Sequence, residues 1–78
     1  DAGAPLRVLF VGALCNLLRG RSATATHDEL ELVAGSIVRV AATFYAEATR
    51  VDEDQAAVLL TELAYLVTAY VDARYPAA

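Results

Sequence analysis

The side chains able to do chemistry in this chain are few, and they stand apart from one another. The one histidine, His27, follows Thr26 at an expected helix start, which makes it a surface neighbour of a cap rather than a general base. The one cysteine, Cys15, lies inside the apolar run LRVLFVGALCNLLR (Leu6 to Arg19) with no base in its own helix to activate it. It reads as a small buried hydrophobe. A helical di-metal centre would need inward-facing carboxylates and histidines, commonly as Glu-x-x-His pairs, and the sequence has no such pair. Glu47 and Glu62 both fall on outward helical stripes. The acidic turn Asp52-Glu53-Asp54 is accounted for by helix capping and by the favourable field at a helix N-terminus. No catalytic residue, cofactor site or metal site is expected, and the chain reads as non-enzymatic.

Two further groups have a possible chemistry. Ala34-Gly35-Ser36-Ile37 resembles the segment around the phosphopantetheine-bearing serine of acidic carrier proteins of similar length. That family places its serine where a helix begins, whereas here Ser36 falls mid-helix, so no attachment of that kind is expected. Arg19 and Arg21, on either side of Gly20, carry the charge to meet a phosphate. Acids at the same end of a bundle, Glu31 or Asp72, are their expected partners instead.

The elements that hold these residues are announced by two capping boxes, Thr26-His27-Asp28-Glu29 and Asp52-Glu53-Asp54-Gln55. In such a box the first side chain accepts from the amide three residues on, and the fourth side chain reaches back to the first amide. Thr26 with Glu29 and Asp52 with Gln55 therefore mark helix starts, and predict helices over about 27–50 and about 53–75 joined by almost no loop. A first helix is expected over about 5–19, with Pro5 in its first turn and Gly20 at its end. Val8, Phe10 and Val11 also allow a short strand over 6–11. The expected fold is all-α, a single domain over 1–78. A long antiparallel helical hairpin has the first helix packed across it, and oligomerisation completes the structure.

Apolar faces dominate. On a helical wheel the first helix is polar only at Gly12, Asn16 and Arg19, leaving about 260° apolar. The second has an apolar arc of about 200°, so it is expected to be central and to touch at least two neighbours. The core arc of the third runs through Ala56, Leu59, Leu60, Leu63, Leu66, Val67, Tyr70 and Val71. The first helix is too short to cover the whole hairpin, so it is placed over Leu30 to Val40 and Leu63 to Tyr70. Phe44, Tyr45, Ala48, Ala56, Leu59 and Leu60 are then left as an open apolar patch, the expected interaction interface.

Composition agrees. The chain has 78 residues, 58% of them hydrophobic, and its single cysteine precludes an internal disulfide. A domain this small and apolar without staples is expected to gain stability by association, most simply as a homodimer or on a helical protein partner. A net charge of −4, with every acid but Asp1 beyond residue 27, argues against direct nucleic-acid contact. Leu6 to Leu18 is too short to span a bilayer, so no membrane role is expected, and the location is read as cytoplasmic. All six cations are arginine, and alanine is abundant, a pattern of high-GC bacterial coding. With no methionine, residue 1 is not an initiator, and the chain is expected to be processed or cut from something longer. A helical oligomerisation or protein-interaction module is the leading reading. The dimerisation or partner-binding part of a small bacterial regulator comes next, and an apolar-ligand binder or small enzyme third.

Overall fold

The caps form where their residue types place them. In the computed structural model, which describes residues 4–76, the Thr26 hydroxyl accepts from the Glu29 amide at 3.1 Å and the Asp52 carboxylate from the Gln55 amide at 2.8 Å. They open two of three helices: α1 (Ala4–Arg19), α2 (His27–Ala48) and α3 (Glu53–Arg74). The architecture is all-α, and residues 6–11 belong to α1, not to a strand. The Thr26 box is only half made, because the Glu29 carboxylate turns across to Arg74 at 3.4 Å instead of back to the Thr26 amide.

Helix ends follow local hydrogen bonding. Gly20 closes α1 without a left-handed conformation, and its amide donates to Leu17 O at 3.2 Å. A Cβ there would approach that same carbonyl at 3.3 Å, so glycine serves by its small size rather than its backbone freedom. α2 stops two residues earlier than expected. The Thr49 hydroxyl donates back to Ala46 O at 2.7 Å, and the Arg50 amide bonds three residues back, to Glu47 O, tightening the chain into the turn. Pro76 follows α3, after the Tyr75 amide has donated to Val71 O.

α2 is central, as its wide apolar arc requires. α1 packs on one side of it and α3 on the other, and no Cα of α1 comes within 8 Å of one in α3 among the described residues. The expectation that α1 also covers Leu63 to Tyr70 is therefore corrected: α1 seats its backbone on α2 alone. The result is a shallow layer of 42 × 33 × 13 Å. Its radius of gyration is 13.8 Å, against about 11.5 Å for a compact chain of this length.

The core lies at the closed end, beside the α1–α2 loop. Leu30 and Val33 of α2 are fully buried, with Cys15 and Leu18 of α1, Ala25 of the loop and Tyr75 after α3 packed in the same cluster. Two ion pairs fasten α3 there, Arg21 to Asp72 and Arg74 to Glu29. Arg19 does not reach Glu31 and donates to the loop carbonyls of Ser22 and Ala25. Leu66, expected in the core, is 48% exposed. It sits on the flank of α3, and no third helix comes over to cover that flank.

Substitutions should report this asymmetry. Leu30→Ala is expected to cost about 3 kcal/mol in urea unfolding, and Leu66→Ala less than about 1 kcal/mol, because only the first leaves a cavity. Thr26→Ala and Asp52→Ala should each cost about 1 kcal/mol. The two losses should add in the double variant, since the caps lie at opposite ends of α2.

Candidate interaction surface

Each outer helix can bury only the stripe that meets α2. In α1 that stripe is Val11, Leu14, Cys15 and Leu18, at the i, i+3, i+4, i+7 spacing of one helical face. Leu9, Ala13 and Leu17 point away: Leu9 is 69% exposed and Leu17 71%, with Ala13 exposed between them. On α3, Val58 and Tyr65 are exposed on the side away from the core.

The six residues expected at an interface divide into two groups. Phe44, Ala48, Ala56 and Leu59 are half-buried, along the part of the hairpin that leads to its turn. Tyr45 and Leu60 remain open, at 57% and 37% exposure. The premise that α1 falls short of this region needs one amendment. Phe10 and Leu14 of α1 line a shallow groove of about 410 Å³ together with Ala41 and Tyr45 of α2. The outer face of α1 is open as well, in keeping with an apolar arc of about 260°. An arc that wide says that something must cover the helix, without saying which side its neighbour takes.

His27 is exposed and lies 3.4 Å from Glu31, one turn on. Ser36 is in mid-α2, its hydroxyl donating to Leu32 O at 2.8 Å, and no helix begins near it. Glu47 faces Arg50 at 3.9 Å. Among the described residues no three of His, Cys, Asp and Glu gather as metal ligands would. Cys15 forms part of the floor of a groove of about 560 Å³ between α1 and α2, with Val8, Val11 and Leu30. Burial raises its thiol pKa, Glu31 adds to the rise, and Arg19 opposes it. α3 is long and apolar enough to cross a membrane by length and composition, with a mean hydropathy of 1.4 over its best window.

Comparison with protein families, with curated proteins and with solved structures finds no match to this chain.

The Cys15 environment has a measurable consequence. Iodoacetamide should modify the folded chain much more slowly than the urea-unfolded chain at mildly alkaline pH, because the thiolate is the reacting species. The folded state holds this proton more tightly than the unfolded one. The stability tied to it is therefore complete below the unfolded thiol's pKa and is lost as pH rises from there through the folded value. Cys15→Ala should remove that alkaline slope.

Proposed function

We propose that this chain is a non-catalytic helical module that works by association, with a second copy of itself or with a helical protein partner. The observation that carries the reading is surface. The chain exposes 5624 Å², whereas a compact monomer of its 8.3 kDa would expose about 4,600 Å². The excess of about 1,000 Å² is close to what each partner buries in a standard protein interface. Much of it is apolar, for Leu9, Leu17, Val58 and Tyr65 are each more than three-fifths exposed. Isolated apolar residues at a surface are ordinary, but faces of this extent mark contact sites.

The same features favour a protein partner over other occupants. An acidic chain with a pI near 4.6 repels the phosphate backbone of nucleic acid. Glu62 stands near the middle of α3, and a carboxylate at the centre of a bilayer is costly, so the reading keeps the module in water. Tyr45 and Leu60, at the turn end of the hairpin, are available to a partner.

Light scattering across a concentration series tests the proposal. The expected result is a mass of at least twice the chain at micromolar concentration, with a melting temperature that rises with concentration. A monomer of unchanged melting temperature across the series, with no helical partner bound, would refute it.

A further inference from the structure

Resting on the association reading, we infer that the outer face of α1 is a self-complementary docking surface, occupied by α1 of a second copy running antiparallel. Leu9, Ala13 and Leu17 are spaced four apart, so they form one ridge along the exposed side of the helix. The ridge is symmetric about Ala13, with a leucine one turn before it and a leucine one turn after. A two-fold axis through Ala13 sets Leu9 of each chain against Leu17 of the other. The small side chain at the crossing lets the two backbones approach closely.

A second copy fits this face for three reasons. First, a two-fold axis through Ala13 pairs the leucine at each end of the ridge with the leucine at the other end in the second copy, so the ridge is complementary to itself. Second, α1 contains no acidic residue, whereas the chain as a whole carries −4. Two acidic molecules can therefore meet here without bringing carboxylates together. Third, the chain as a whole exposes about 1,000 Å² more than a compact monomer of its mass, the scale a dimer partner buries. Leu9 and Leu17, among the most exposed large side chains on α1, both lie on this ridge.

Charge substitution and charge exchange test the geometry. Leu17 and Ala13 are exposed, so Leu17→Glu and Ala13→Arg should leave the helical circular dichroism of the chain unchanged. Each should raise the dimer dissociation constant by roughly 100-fold. Tyr65→Glu, on the outer face of α3, should not change it. Combining Leu9→Lys with Leu17→Glu should restore the dimer, because each lysine then meets a glutamate of the other chain. Within one helix those positions are about 12 Å apart and cannot pair. Five results overturn the inference. A wild-type chain that is monomeric at micromolar concentration, or that leaves solution only with phosphatidylcholine vesicles, removes the self-association on which it rests. A dimer that survives both Leu17→Glu and Ala13→Arg, or that Leu60→Glu splits instead, leaves association standing and puts the interface elsewhere. A dimer lost in Leu17→Glu but not restored by the lysine exchange excludes the antiparallel pairing.

Discussion

Leu30 and Val33 are the two large side chains that the described structure removes completely from water. Both lie on α2 in the half beside the α1–α2 loop, where Leu18, Ala25 and Tyr75 close over them. Burying an aliphatic side chain of this kind contributes about 1.5–3 kcal/mol, whereas an exposed ion pair contributes about 1 kcal/mol at most. Arg21–Asp72 and Arg74–Glu29 are partly exposed. They set the register of α3 against the loop more than they hold it there. Tyr75 completes the cluster at some cost, since its hydroxyl is buried with no hydrogen-bond partner among the described residues. Its ring packs in the same cluster as Ala25 of the loop.

This core sits at one end, and the rest of the form follows from it. α1 and α3 are anchored beside the loop on opposite sides of α2, and their backbones do not meet. Phe44, Ala48, Ala56 and Leu59, farther along the hairpin, are only half-buried, and no buried residue among those described lies near the turn. Fewer buried contacts mean a lower cost of local opening, so the turn end is the less stable half. A single layer of helices has two broad faces and no second layer to cover either. In most domains that second layer is supplied by the same chain.

Charge is distributed in a way that bears on how such a layer is covered. Every acid but Asp1 lies on α2, α3 or the turn between them, and α1 has none. An apolar ridge and an acid-free helix therefore coincide on α1, whose charges are Arg7 and Arg19. On α3 the exposed Val58 and Tyr65 are interspersed with Glu62 and Asp54, a mixture better suited to water than to a close apolar contact. The chemically capable groups lie elsewhere. His27 is beside a cap, Ser36 bonds within its own helix, and the Cys15 thiol is held protonated in an apolar floor.

How much was legible before any tertiary structure depends on the range of the interaction concerned. Helix starts were legible because Thr26 and Asp52 bind amides three residues away, a bond completed within one turn. The centrality of α2 was legible because an apolar arc of about 200° is too wide for one neighbour. The end of α2 at Ala48 was not, since it depends on the Thr49 hydroxyl choosing a backbone carbonyl over water. Nor was the exposure of Leu66, Leu9 and Leu17. Helical periodicity tells which residues share a face, but α1 is apolar over about 260°, and the pattern cannot rank the faces within that arc. Only the docking of α1 on α2, through Val11, Leu14, Cys15 and Leu18, decided which apolar face turned inward. Hydrophobic burial has no direction of its own, so the choice between equivalent apolar faces is left to packing.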